Sequence, residues 1–332
     1  MSEDIESIRG VGSSIATKLR EAGYPTIESI IVTPPKEIME KTGIGYNTIL
    51  KIQEAARGML SVDFKTAEEI YERKKSMRKC TTGCKKFDEI LGGGIETQAL
   101  TELIGEFGSG KTQICMTLSA TAQLPCGEGG LGGNVAFIDT EGTFMPERLY
   151  QIASERGIDP REAARRVLIA RAYSSSHQCL LIDRLFNLCP ENNVKMVIID
   201  SMISHFRGEY LGRDTLSERQ QLLNKYLHKL LRLAEAYNLA VVVTNQVQAN
   251  PTPFCSEPNR PAGGNIMAHA CTHRIYLRKG TRGIRIARVI DSPNLPEKSA
   301  SFLITEKGVV DVPENLKIEE KEEEAENSLE KE

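Results

Sequence analysis

Apolar residues recur along this chain with two different periods, and the change of period divides it. In residues 1–58, Ile15, Ala16 and Leu19, and later Ile49, Ile52 and Ala56, are spaced by three and four, the signature of helices with one buried stripe. From residue 81 onward, short unbroken apolar runs alternate with longer helical patterns. The runs predict strands at 99–104, 134–139, 167–172, 194–199, 239–244, 272–278, 284–290 and 301–305. Helices are expected near 112–123, 146–156, 176–189 and 215–237, the last with Leu223, Leu227, Leu230 and Ala234 on one stripe. Such alternation implies an α/β core, a mostly parallel sheet with helices on both faces. The closely spaced late strands extend it as antiparallel hairpins.

Both periods fail in two places. Residues 59–80 are dominated by Glu68, Glu69, Glu72, Arg73, Lys74, Lys75, Arg78 and Lys79, and read as an exposed linker or a solvated helix. Phe64 stands there as a lone aromatic and needs a pocket, on its own core or on a neighbouring subunit. From Glu314 the chain is acidic and poor in apolar residues, so disorder is expected. The resulting division is a small all-α unit at 1–60, a linker at 61–80, the α/β core at 81–313 and a tail at 314–332.

Composition adds constraints. The chain has 332 residues, 40% of them apolar, enough for a sizeable core. No apolar run approaches the ~20 residues that span a bilayer. The acidic N-terminus lacks a signal-peptide pattern, so a cytoplasmic location is expected. Residues 317–332 hold eight Glu and three Lys, so the net charge of −3 conceals a mildly basic body that permits nucleic-acid binding. Cys115, Cys179 and Cys189 lie in apolar segments as small buried hydrophobes. Cys80 and Cys84 lack a second ligand pair for zinc. His269, Cys271 and His273 alternate, which on a strand places them on one face; a metal there is the minor reading.

The sharpest chemical signal is Gly105-Glu106-Phe107-Gly108-Ser109-Gly110-Lys111-Thr112, which fits the phosphate-loop pattern at every fixed position. Glycines let backbone N–H groups face phosphate oxygens. Lys111 reaches the terminal phosphates, and the Thr112 hydroxyl can hold Mg²⁺. Gln113 continues into a helix whose N-terminus favours an anion.

Three further strands end in polar residues, on the side where ligands bind such sheets. Val197-Ile198-Ile199-Asp200 has the form of a Walker B strand, with Asp200 orienting the Mg²⁺ water shell opposite Thr112. Phe137-Ile138-Asp139-Thr140-Glu141 offers a base that can polarise water. Asp139 competes with Glu141, and Glu141 is preferred because it lies beyond the strand. Val241-Val242-Val243-Thr244-Asn245-Gln246 ends in an amide able to sense a γ-phosphate. Two aperiodic segments follow, one with Arg207 and Arg213, the other from Val247 to Asn265 with four prolines. Together they suggest a polyanion site. In the N-terminal unit, Gly10-Val11-Gly12 and Gly43-Ile44-Gly45 precede helices. This resembles the helix-hairpin-helix fold, whose glycine turns grip duplex phosphates through backbone N–H groups. A small module that packs on a partner protein is the plainer reading.

Taken with Thr143-Phe144, Pro146-Glu147-Arg148 and Asp291-Ser292-Pro293-Asn294-Leu295-Pro296, these motifs resemble the RecA/RadA family of recombinases over nearly the whole chain. The resemblance implies a filament-forming, DNA-dependent ATPase that uses ATP and Mg²⁺, and also a monovalent cation such as K⁺. It implies single- and double-stranded DNA, further copies of itself and mediator proteins as partners, strand exchange as the output, and no membrane. It places DNA-binding loops around 201–219 and 247–265, with Arg207, Arg213 and Arg219 as contacts. It makes Phe64 and Ala67 a polymerisation motif, stacks Arg148 on adenine, and turns Asp291 to Pro296 into a cap over a neighbour's ATP. His269 and Glu297 fall where nucleotide, cation and loop order are coupled.

Overall fold

Four short helices close around a core of their own at the N-terminus. In a computed structural model, which describes residues 4–59, 66–75, 77–212, 214–249, 259–314 and 316, these are α1 (Ser13–Glu21), α2 (Ile27–Val32), α3 (Pro35–Thr42) and α4 (Tyr46–Met59). Ile8, Leu19, Ile30, Ile38, Ile49 and Ile52 are buried between them. Helix α3 ends at Gly43, whose φ of 67° is left-handed while its N–H bonds the Met39 carbonyl; a Cβ there would strain the cap. Around Gly10, Gly12 and Gly43 no atom lies within 4 Å of where a Cβ would sit, so both hairpin turns present open backbone.

The charged segment forms helix α5 (Ala67–Lys75), exposed throughout its described side chains. Thr66 and Glu69 start it reciprocally: Glu69 N–H donates to the Thr66 hydroxyl at 3.2 Å, and Thr66 N–H donates to Glu69 Oε2 at 2.7 Å. Phe64 lies outside the described residues.

The core opens with a two-strand ladder, β1 (Lys79–Cys80) against β2 (Ile95–Glu96), flanking α6 (Lys85–Ile90). Then follow β3 (Leu100–Gly105), α7 (Lys111–Thr121), β4 (Asn134–Asp139), α8 (Pro146–Glu155), α9 (Pro160–Arg165), β5 (Val167–Arg171), α10 (Ser175–Glu191) and β6 (Val194–Asp200). The chain continues through α11 (Ser204–Glu209), α12 (Leu216–Tyr237), β7 (Ala240–Asn245), β8 (Val247–Ala249), β9 (Asn259–Pro261) and α13 (Gly264–Ala270). It closes with β10 (His273–Lys279), β11 (Arg285–Asp291), β12 (Ser299–Thr305) and β13 (Gly308–Asp311). One sheet is ordered β13-β12-β11-β10-β3-β7-β6-β4-β5. From β10 to β5 neighbours run parallel, whereas β10 to β13 are antiparallel. Every residue of β3 and β7 is buried, as continuous apolar runs covered on both faces require. One core lies under α6, α7 and α8, around Phe87, Ile114 and Phe302. The other lies under α10 and α12, around Phe206, Leu223, Leu227, Leu230 and Ala234.

Register decides where the chemistry meets. Ile104 sits opposite Asn245, and Asp139 opposite Asp200, so the polar residues beyond these strands open onto one edge of the sheet.

Three readings change. The basic segment after Asp200 contains a turn of helix, α11, because Phe206 is buried and pins it to the core. The proline-rich segment returns as a hairpin, with Val247 opposite Pro261, while residues 250–258 lie outside the described residues. His269, Cys271 and His273 do not share a strand face: His269 lies in the last turn of α13, Cys271 caps it and His273 begins β10.

Helix α12 also meets the N-terminal unit. Lys229 is 2% exposed, and its ammonium lies 2.6 Å from Asp183 of α10 and 3.1 Å from Glu37 of α3. Arg232 approaches the other Glu37 oxygen at 3.7 Å. Burial raises the Glu37 pKa, but Lys229, Arg232 and Lys41 outweigh it and hold the carboxyl below its usual range.

Candidate nucleotide and nucleic-acid site

Residues 105–112 wrap one end of a cavity of about 720 Å³. Gly110, with φ of 106°, lets the backbone turn into α7; a side chain there would press on Arg285 and Ile304 at 3.0–3.5 Å. The buried Ser109 hydroxyl has no partner among the described residues, while Phe107 is almost fully exposed. Lys111 donates to the carbonyls of Gly105 (2.7 Å) and Glu106 (2.9 Å), which curls its ammonium over the loop. Burial lowers the Lys111 pKa, against the nearby Asp200 and Glu141 charges.

Asp200 accepts from Thr112 Oγ1 at 2.7 Å and from the Thr244 hydroxyl. Burial raises its pKa, and these two donors oppose the shift. An acidic oxygen beside a threonine hydroxyl at the foot of a phosphate loop is a donor set suited to Mg²⁺. With Lys111 and the open loop backbone it fits a magnesium-bound nucleoside triphosphate.

The two carboxylates after β4 separate by role. Asp139 Oδ1 accepts the N–H groups of Glu141 (3.1 Å), Gly142 (2.7 Å) and Thr143 (3.2 Å), and Oδ2 accepts that of Phe144 (3.2 Å). Arg171 lies 3.2 Å from Asp139 as well. Asp139 therefore builds the turn and has little capacity left for water. Glu141 is exposed, and its Oε1 accepts from Gln246 Nε2 and from Ser201 Oγ, each at 2.9 Å. Arg207 of α11 makes a long contact of 3.5 Å with Gln246 Oε1.

Arg148, behind the cavity's lining, donates to Gln113 Oε1 at 2.8 Å and also to Gln151 and the Thr305 carbonyl. Its guanidinium is thereby fixed beside the first turn of α7. Asp291 to Pro296 form an exposed turn after β11, tied back by Ser292, whose hydroxyl lies 3.0 Å from His273 Nδ1. Glu297 pairs with Arg288 at 2.8 Å and stands apart from the phosphate loop's lining.

The structure thus gathers Gly105 to Gln113, Glu141, Asp200 and Gln246 around one cavity. Arg207 is outside the lining and reaches only Gln246, Arg219 is on the first turn of α12, and Arg213 is outside the described residues. Gly10, Gly12, Gly43 and Gly45 lie on the separate N-terminal unit. Ser201, Arg285 and Ile304 carried no motif, and only strand adjacency brings them in. Among the described residues no helix is long and apolar enough to cross a membrane.

Comparison with known families assigns both units. The Rad51 family model matches residues 72–312. That of the SAM-like helix-hairpin-helix tandem matches residues 2–58.

Proposed function

The chain belongs to the Rad51 family of RecA-like recombinases, and from that membership we propose that it is a recombinase of the archaeal RadA type that assembles helical filaments on single-stranded DNA and catalyses homologous pairing and strand exchange. Family membership already implies a DNA-dependent ATPase that uses ATP and Mg²⁺ in recombination and repair, and the helix-hairpin-helix unit supports DNA binding.

The observation that carries the finer reading is the 2.9 Å hydrogen bond between Gln246 and Glu141. It joins the residue placed to activate water to the residue from which the second DNA loop departs. In this reading the loop from Gly105 to Thr112 and Gln113 bind the phosphates, and Lys111 neutralises the terminal one. Thr112 and Asp200 would hold Mg²⁺, Asp200 through water. When bound, the metal withdraws charge from the phosphate oxygens. Glu141 then removes the proton of the attacking water. Gln246 communicates the nucleotide state to residues 247–265, a shift between filament states with different grips on DNA.

Arg207, Arg213 and Arg219 would neutralise DNA phosphates, and Gly10, Gly12, Gly43 and Gly45 would grip duplex through their backbone. Arg148 covers adenine, and Asp291 and Pro296 cap the site of an adjacent subunit. A monovalent cation such as K⁺ near the cap, a nucleoid-associated cytoplasmic location and mediator proteins belong to the same reading.

Filament formation has a physical basis at the sheet edge. Strand β5 is terminal, so its outer N–H and C=O groups are available for another chain. Behind it lies a cleft of about 460 Å³ lined by Ala136, Ile169, Ala170, Leu181, Leu185 and Leu188. It is apolar enough for the Phe64 ring of a neighbour, with Ala67 following. A strand-exchange assay with ATP, Mg²⁺ and matched DNA substrates tests the proposal. Homologous product that depends on ATP supports it, and DNA unwinding without strand transfer overturns it.

A further inference from the structure

Both segments assigned to DNA begin on the same carboxylate oxygen. Glu141 Oε1 accepts from Ser201, the first residue after β6, and from Gln246, the first after β7. Two donors use up the in-plane lone pairs of that oxygen. The Gln246 amide, which the hydrolysis reading directs at phosphate or water, is itself turned onto Glu141. In this arrangement Gln246 and Ser201 fix the orientation of the Glu141 carboxylate through Oε1.

Ser201 is 2% exposed and held on every side. Its N–H donates to Thr140 Oγ1 at 2.7 Å, and its carbonyl accepts from the same hydroxyl at 3.0 Å. Thr140 Oγ1 also shares a hydrogen bond of 2.8 Å with Ser204 Oγ, the first residue of α11. Glu209 anchors the other end of α11, accepting Ser175 N–H at 2.8 Å, while His205, next to Ser204, lies 3.0 Å from the Ala172 carbonyl. Arg207, between these anchors, contacts Gln246. These contacts connect α11 through Ser204 and Thr140 to Ser201, and from there to Glu141.

We propose that Ser201 is a positioning residue whose hydroxyl holds Glu141 in this closed arrangement, and that DNA bound at Arg207 frees the carboxylate by moving α11. The inference rests on Glu141 being the base of the hydrolysis proposed above. Ser201 touches neither phosphate nor water in this scheme; it sets how often Glu141 is available.

The test measures ATP hydrolysis by the full chain with and without a poly-dT single strand, in wild type, Ser201→Ala and Ser201→Thr. Loss of one donor to a carboxylate shifts such a two-state balance by about tenfold. Ser201→Ala is expected to raise DNA-free kcat by about that factor with KM for ATP unchanged, while the DNA-stimulated rate stays near wild type. Ser201→Thr, which keeps the hydroxyl, is expected to restore the wild-type ratio. An alanine variant with the wild-type ratio overturns the proposal. So does one in which both rates fall together, or an alanine and a threonine variant that behave alike. A wild-type chain without DNA-stimulated hydrolysis instead refutes the functional reading on which this rests.

Discussion

The Thr112 hydroxyl donates to Asp200 Oδ2 at 2.7 Å, tying the phosphate loop to a strand end 88 positions later in the chain. Asp200 is 4% exposed. An uncompensated carboxylate so placed would be costly, and the Thr112 and Thr244 hydroxyls offset part of that cost. Asp200→Asn keeps the shape and removes the charge, so it should lower ATP turnover by about 10²-fold or more. Lys111→Ala should do likewise. Phosphate release at saturating ATP, Mg²⁺ and DNA checks both, and wild-type turnover in either would remove it from the site.

Glu141 and Asp139 should fail differently. Glu141→Gln is expected to cut hydrolysis by about 10²–10⁴-fold while a fluorescent ATP analogue still binds. Asp139→Asn weakens a carboxylate that accepts four backbone N–H groups. It should therefore cost about 1–3 kcal/mol of stability, read from the urea midpoint. Equal losses of turnover with no stability difference would contradict this division.

Assembly should depend on the cleft beside β5. Phe64→Ala removes the expected insert, and Ala170→Trp fills the expected receptor. Each should convert large assemblies to smaller species in light scattering. An unchanged size distribution in both would move the contact elsewhere.

Lys229 should anchor the N-terminal unit. Removing Lys229 leaves Glu37 and Asp183 only longer contacts with Arg232 and Lys41, so Lys229→Ala is expected to cost about 1–3 kcal/mol. Lys229→Met, which preserves the apolar stem but not the charge, tests whether the ammonium or the packing matters. Faster proteolytic separation of residues 4–59 from the core in both variants would identify the charge as the anchor.

His273 makes stability pH-dependent. Burial lowers its pKa below 6.5, although Glu96 nearby opposes the shift. The unfolded chain then binds the proton more readily, so this stability is complete above about pH 6.5 and is lost as pH falls below it. The urea midpoint should drop between about pH 7.5 and about pH 5.5, and His273→Gln should shrink that drop. Equal drops in both proteins would show that other groups dominate.

Periodicity and motif order determined much of this protein. The strands around 99–104 and 239–244 fall within a residue of those found, because a buried strand needs a continuous apolar run and its polar end marks where burial stops. Gly105 to Thr112 was legible because phosphate binding demands glycines, a lysine and a hydroxyl at fixed spacing. Sequence preferred Glu141 to Asp139 because it lies beyond the strand, and the fold adds a turn of N–H groups folded onto Asp139. Tertiary structure alone decided that β7 lies between β3 and β6. That adjacency brings Thr244 to Asp200 and Gln246 to Glu141, and sets Ser201 beside both. Likewise Lys229 lies on α12 between Leu227 and Leu230 and reads as an ordinary charged residue. It is buried because α3 and α10 each offer it a carboxylate. Local patterns encode which face of an element is buried. They do not encode which other element covers it, and hydrogen-bond partners follow from that neighbour.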